Sequence, residues 1–333
     1  LLMLPNLIEY FLTGIKHSEY TSAATSQLYN MKCKTWAEPL LDKLGIPKNL
    51  FTPVDLAGRI LGSLSPAVEQ EIDCRNLNVV SVAGHDTASA ALAVPTRCKE
   101  FTFISSGTWS LLCVCSVRLL EDESIIPKKI TNEGNWDGSY RPTINISGLW
   151  ILQQCHKQWN STGKTYSYDT LEKMAKRAKK LRSFIRPEDF EKIGDYPSMI
   201  RDFCRKSNQP VPEGIGEITL CILESLALKY RQVYGLLSTH VPQRKAIYVV
   251  GGGVRNHLLN QFTANALNMP VVAGLAEAAT VGNALVQLEA LGELRGADQR
   301  SSIIENSFTS EVFMPHDRDE WDEAYNRFQR LYE

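Results

Sequence analysis

Apolar residues recur at intervals of three and four across residues 217–240, where Ile218, Ile222, Leu226, Tyr230, Val233 and Leu237 share one face, and this spacing predicts a long helix with a core-facing stripe. Trp321, Ala324, Tyr325, Phe328 and Leu331 repeat the pattern and predict a closing helix that begins near Asp317 and packs back on the first lobe. Residues 5–12 predict a short helix closed by Gly14, with Leu7, Ile8, Phe11 and Leu12 forming an apolar face that needs a partner surface. Another helix over residues 36–44 is stopped by Gly45-Ile46-Pro47. Between these, short continuous apolar runs predict buried strands: Val79-Val80 with Val82, residues 101–104, residues 109–117, the RPTINI stretch, the run ending at Val250, and Val271-Val272. Strands alternating with helices give an α/β chain. Two charged stretches, LEKMAKRAKK and PSMIRDFCRK, read as surface helices with solvated lysine and arginine. The run SEYTSAATSQLYN fits a loop or strand rim along a polar cleft, with a solvated loop favoured by composition, and residues 48–77 show no firm period.

Composition narrows the function. With 333 residues, 44% hydrophobic and 22% charged, the chain has room for two lobes with a cleft. A net charge of −1 points to no nucleic acid and no membrane surface as partner, so an anionic ligand must be held by local groups. Eight cysteines without a C-x-x-C pair read as reduced thiols of a cytoplasmic protein. No apolar run reaches transmembrane length, and no secretory signal opens the chain.

The candidate chemistry lies where strands break into helices. In NVVSVAGHDTASA the apolar run ends at Ala83-Gly84 and delivers His85, Asp86 and Thr87 to a helix start, where α/β proteins tend to bind ligands, although Asp86 as a plain helix cap is an even alternative. The turn Ser105-Ser106-Gly107-Thr108 between two apolar runs can bring N–H groups and hydroxyls onto a phosphate, but alone it is more often only a hairpin turn. Asn145 and Gln153 are polar among apolar neighbours, a pattern equally met where a buried turn needs backbone partners. Gly251, Gly252 and Gly253 follow a buried strand and precede a helix capped near Asn256, so a ligand can approach the backbone there. The EAATVGNALVQ helix opens with small residues and can approach a flat ligand or a neighbouring helix. The remaining histidines show no metal-ligand spacing, which argues against a metal phosphohydrolase, and no metal ligands are assigned.

Taken in order, AGHDTASA, FISSGTWSLL, TNEG with INISGLWILQQ, VVGGGVRNHLLNQ and EAATVGNALVQ resemble the FGGY family of carbohydrate kinases. The likeness runs over most of the chain, is weakest over residues 161–210 and after 295, and corresponds to the last two-thirds of a family member. It implies an actin-like, ribonuclease H-like two-lobe fold with the first lobe incomplete. Residues 1–94 would be the rest of the N-terminal, sugar-side domain, residues 95–303 the nucleotide-binding C-terminal domain, and residues 304–333 the closing helix. By motif, Asp86 would be the catalytic base, His85, Asp86, Thr87 and Asn145 would meet the sugar, and Thr108, Gln153 and Gly252 would meet ATP. The resemblance further implies ATP with Mg²⁺, a monomer or homodimer, and transfer to O1 of a ketose. L-rhamnulose is the expected sugar, with L-fuculose, another ketose or a non-catalytic sugar- or nucleotide-binding role as alternatives. Because the family's opening phosphate hairpin has no counterpart among these residues, the chain alone is expected to be inactive and prone to self-association.

Overall fold

The computed structural model describes residues 1–161, 163–240 and 244–333. The chain divides into two compact units: Leu1–Phe101, Cys113–Thr143 and Glu277–Thr309 form the first, and Thr102–Leu112, Ile144–Ala276 and Ser310–Glu333 the second.

In the second unit the long helix is present as Ile215–Ser238, with all six stripe residues buried. Its start is fixed by the Glu217 carboxylate, which accepts the Gly214 and Glu213 N–H groups and is thereby held below the usual carboxylate range. Helices Tyr168–Arg177 and His257–Leu267 pack on it. The strands beside them are the apolar runs of the sequence. Ile247–Val250 pairs in parallel with Thr102–Ser106, Ile247 opposite Thr102, and on its other side with Val271–Ala273. Val271–Ala273 carries the antiparallel edge strand Glu311–Phe313, a short element the sequence reading did not find. The closing helix begins after Asp317, as the spacing predicts, and runs Arg318–Gln329. It packs on helices His257–Leu267 and Ile215–Ser238. Trp321, Ala324 and Phe328 are its buried face, Trp321 lies 5.3 Å from the Phe262 ring, and Arg327 donates to the Leu181 carbonyl, so the stripe finds its core within the second unit.

The first unit departs further from the sequence expectation. Helix Leu4–Thr13 ends at Gly14 in the left-handed conformation, but its buried residues are Asn6 and Glu9, while Leu4, Ile8 and Phe11 are 70%, 53% and 65% exposed. The inversion has a cause. Asn6 donates to Glu9 at 2.9 Å, Glu9 meets His17 Nε2 at 2.6 Å, and Asn6 accepts the Glu19 N–H at 3.3 Å, so the polar face enters a buried hydrogen-bonded network, in which His17 Nδ1 finds no partner among the described residues. The SEYTSAATSQLYN run is likewise not a solvated loop. It forms strand Ser18–Glu19, helix Tyr20–Thr25 and strand Tyr29–Asn30, and residues 18–24 are all buried. The strand before His85 is Asn78–Ser81, antiparallel to Arg59–Ser63 alone among the described residues, and Val79 and Val80 are half-buried where a fully buried strand was expected. Helices Pro66–Glu71 and Gly296–Ser307 and strand Thr131–Gly134 were not predicted. Helix Ala278–Ala290 packs on Asp86–Leu92, which decides its small residues in favour of a helix partner.

Candidate active site

Two clusters carry the candidate residues, one in each unit. In the first unit, Asp86 opens helix Asp86–Leu92 with its side chain 82% exposed. The carboxylate is oriented from within its own turn: Oδ1 accepts the Thr87 N–H at 2.5 Å and the Thr87 hydroxyl at 3.1 Å, while Thr87 itself is buried. Asp86 therefore presents an oxygen outward from a fixed helix start, a geometry suited to receiving a proton from a bound hydroxyl.

The turn ahead of it is held by a residue that sequence reasoning passed over. Glu19 is fully buried, and its carboxylate accepts the Thr21 N–H at 2.8 Å, the Thr21 hydroxyl at 2.6 Å, the Ser22 N–H at 3.0 Å and the Gly84 N–H at 3.1 Å. Burial pushes this carboxyl above its ordinary range, and the four donors work against that shift. The Thr21 hydroxyl in turn accepts the His85 N–H at 3.1 Å, so both amides of the Gly84-His85 turn end in one polar cluster. The sequence signal was Glu followed by Thr and Ser two and three residues on, which is helix-cap chemistry inside a polar run.

His85 is half-buried on the far side of this turn. Its Nδ1 lies 2.7 Å from Arg141 Nη2 and 3.3 Å from Glu133 Oε2, and its Nε2 lies 3.6 Å from Asp86 Oδ1. Arg141 Nη2 also reaches Glu133 Oε2 at 2.6 Å. Desolvation lowers the His85 pKa and the Arg141 cation adds to this, while Glu133 and Asp86 oppose. Arg141 and Glu133 were also missed, although an arginine opening the strand-like RPTINI run was visible as an anomaly.

In the second unit, Gly107 and Thr108 form the tight turn between Thr102–Ser106 and Trp109–Val114. Leu149 N–H donates to the Gly107 carbonyl at 3.0 Å and Trp150 N–H to the Thr108 carbonyl at 3.1 Å, which fixes the turn beside the start of helix Trp150–Asn160. The structure brings two candidates together there, since the Thr108 hydroxyl donates to Gln153 Oε1 at 3.2 Å. A cavity of about 180 Å³ adjoins Thr108, lined also by Trp109, Ser147, Trp150 and Glu191. The three glycines divide by role. A Cβ on Gly253 would fall 2.0 Å from the Ser106 hydroxyl, and one on Gly251 2.8 Å from the Ser106 carbonyl, whereas one on Gly252 meets nothing within 4 Å. Only Gly252 faces open space, so it is the position where a ligand can reach the backbone. Asn145 is exposed on strand Tyr140–Ser147 between buried Ile144 and Ile146, and its side chain makes no hydrogen bond to the described residues. It satisfies no buried turn.

Family models match most of the chain. Residues 102–291 match the C-terminal domain of the FGGY family of carbohydrate kinases, and residues 1–93 match its N-terminal domain. The chain belongs to this family. Among curated proteins, it is 39% identical to a rhamnulokinase of Bacteroides thetaiotaomicron over 98% of its own length and 67% of that protein's. Rhamnulokinases of Pectobacterium carotovorum and Enterococcus faecalis are 37% and 36% identical, each over 99% of this chain and over 66% and 67% of theirs. The chain thus spans about two thirds of the length of the FGGY relatives it matches. Its fold is that of solved sugar kinases, including a ligand-bound xylulose kinase from Lactobacillus acidophilus (TM-score 0.78, 15% identity, 99% of this chain and 66% of that one). Plasmodium falciparum glycerol kinase with ADP gives a TM-score of 0.76 at 12% identity, over 98% of this chain and 65% of that one.

Proposed function

We propose that this FGGY kinase transfers the γ-phosphoryl group of ATP to O1 of L-rhamnulose, giving L-rhamnulose 1-phosphate and ADP. The observation that carries the reaction type is Asp86, an exposed carboxylate fixed at a helix start by Thr87. The sugar assignment rests on curated rhamnulokinases at 34–39% identity over nearly the whole chain. Asp86 takes the O1 proton as O1 attacks the γ-phosphorus, and the bond from that phosphorus to the bridging oxygen breaks toward ADP. His85, Thr87 and Asn145 hold the sugar hydroxyls, and Thr108, Gln153 and Gly252 line the nucleotide's path.

Phosphoryl transfer is mostly positioning and charge neutralisation, so a single carboxylate suffices as base. Mg²⁺ neutralises phosphate charge in such reactions and keeps most of its ligands as phosphate oxygens and water. Thr108, whose hydroxyl donates to Gln153 Oε1 at 3.2 Å, would offer an oxygen on the nucleotide side, and phosphate oxygens and water would supply the remaining ligands. ATP as donor places the reaction in the cytoplasm, and no helix among the described residues is long and apolar enough to cross a membrane.

The test is ADP release by the protein expressed from its complete reading frame, against L-rhamnulose, L-fuculose, D-xylulose and glycerol. L-rhamnulose should give the highest kcat/KM, and Asp86→Asn should lower kcat by roughly 10²–10⁴ while leaving ATP affinity unchanged. A preference for L-fuculose, no ketose-dependent ADP release, or an Asp86→Asn kcat within about threefold of wild type would overturn the reading.

A further inference from the structure

Arg141 is 0% exposed, yet its Nε and Nη1 find no hydrogen-bond partner among the described residues, where the guanidinium makes its hydrogen bonds through Nη2 alone. Burying a charged group so incompletely satisfied is costly, and a Met side chain would fill comparable space without that cost. Nη2 carries two hydrogens, and two acceptors stand within reach: Glu133 Oε2 at 2.6 Å and His85 Nδ1 at 2.7 Å. We propose that Arg141 is a positioning residue that holds His85 as the neutral tautomer with its proton on Nε2, so that an N–H donor faces the substrate side of Asp86. The inference rests on the reading that residues 85–87 meet the sugar.

The tautomer follows from donor arithmetic. A guanidinium donates and never accepts, so a ring nitrogen 2.7 Å from Nη2 must be the acceptor, and a neutral imidazole with Nδ1 as acceptor carries its proton on Nε2. Glu133 argues the other way, since its Oε2 lies 3.3 Å from Nδ1 and would welcome a proton there. That oxygen already takes an Nη2 hydrogen at the shorter distance, and a proton on Nδ1 would collide with the other one. The charged groups facing His85 are Arg141, Glu133 and Asp86, and its burial favours the neutral ring. On the opposite side, Nε2 stands 3.6 Å from Asp86 Oδ1, too far for a direct hydrogen bond. A hydroxyl oxygen seated beside the pair, off the line that joins them, would accept from Nε2–H and donate its own proton to Asp86. The pair is then polarised for that proton to leave, whereas the other tautomer would offer the hydroxyl two acceptors and no donor.

Histidine ring ¹⁵N–¹H correlation spectra of the uniformly labelled protein, with His85 assigned by His85→Gln, read the tautomer directly. Wild type should show His85 protonated at Nε2 and unprotonated at Nδ1 from pH 5 to 8. Arg141→Met should lose that signature and move the His85 pKa upward, because the cation that adds to the effect of burial is gone. Arg141→Lys, still a donor to Nδ1, should keep the signature in part. In kinetics, Arg141→Met should raise the KM for the ketose about tenfold, the loss of one oriented hydrogen bond, and move the acid limb of kcat/KM upward with the KM for ATP unchanged. A wild-type proton on Nδ1 overturns the proposal even if the variants do not fold, as does an Arg141→Met protein with the wild-type tautomer and pH profile. The wild-type spectrum needs no sugar. An Nε2–H signature that does not respond to any ketose would therefore sink the sugar-site reading while leaving the Arg141 assignment standing.

Discussion

Helix Asp86–Leu92 carries the candidate base at its first position, and Gly282 is what lets helix Ala278–Ala290 lie directly on its backbone. A Cβ added at Gly282 would fall 1.7 Å from the Ser89 carbonyl oxygen, 2.6 Å from the carbonyl carbon and 3.3 Å from Leu92 Cβ. Carbon and oxygen come no closer than about 3.3 Å without penalty, so the helices must part by on the order of 1.5 Å. Because the obstacle is backbone, no rotamer change relieves it. Overpacking of this kind costs about 1–3 kcal/mol, with this site at the upper end, and the better helix propensity of alanine returns about 1 kcal/mol. Gly282→Ala should therefore destabilise the protein by about 2 kcal/mol. It should also carry Asp86 out of place, and a shift of about 1 Å at a reacting group can cost on the order of 10²-fold in kcat. Urea titration gives the first number and ADP release the second. Gly235→Ala is the control: a Cβ there meets nothing within 4 Å of the long helix, so the same change should be neutral or stabilising. A Gly282→Ala midpoint equal to or above wild type would refute the argument, because propensity would then outweigh a close approach the structure says is indispensable.

Two further expectations belong to the second unit. Gly252→Ala should leave the urea midpoint unchanged and weaken ATP binding in calorimetry, while Gly253→Ala should lower the midpoint, since its Cβ would overlap Ser106; equal effects from both would erase the distinction drawn between them. Burial pushes the Glu224 carboxyl up to about 8 from an ordinary 4.5, so the folded protein keeps its proton where the unfolded chain has lost it. The stability this gives is fully present below about pH 4.5 and is lost as pH rises to about 8. Glu224→Gln keeps an acceptor for the Leu181 N–H and should flatten that fall, and parallel pH profiles of the urea midpoint would show that Glu224 is already ionised.

What the sequence revealed depended on whether a residue acts through its neighbours in the chain or across it. The stripe from Ile218 to Leu237 and the cap at Asn256, whose Oδ1 accepts the Leu259 N–H at 2.9 Å, are local, and both boundaries were legible. The ordered motifs likewise marked the family. The burial of residues 18–24 was not legible, because their polarity is neutralised by partners such as Gly84 and Asn6 that no local window contains. The same blindness inverted the first helix, where Asn6 and Glu9 outcompete Ile8 and Phe11 for the interior. Asp86 was found because it breaks a strand-helix pattern. Arg141 was passed over because its meaning lies 56 residues away at His85.

That reach across the chain bears on how the turn before Asp86 comes into being during folding. The Gly84 and His85 amides are bound by Glu19 and Thr21, partners 65 and 64 residues earlier, so the segment NVVSVAGHDTASA cannot adopt its working shape by local propensity. The loop must close first, and its entropic cost falls due before any of these hydrogen bonds forms. The turn should accordingly be among the last parts of the first unit to gain protection in pulsed hydrogen exchange, and it should gain it together with residues 19–22. A kinase nascent enough to have made its helices but not this closure would hold the right residues with no fixed place for the proton to go.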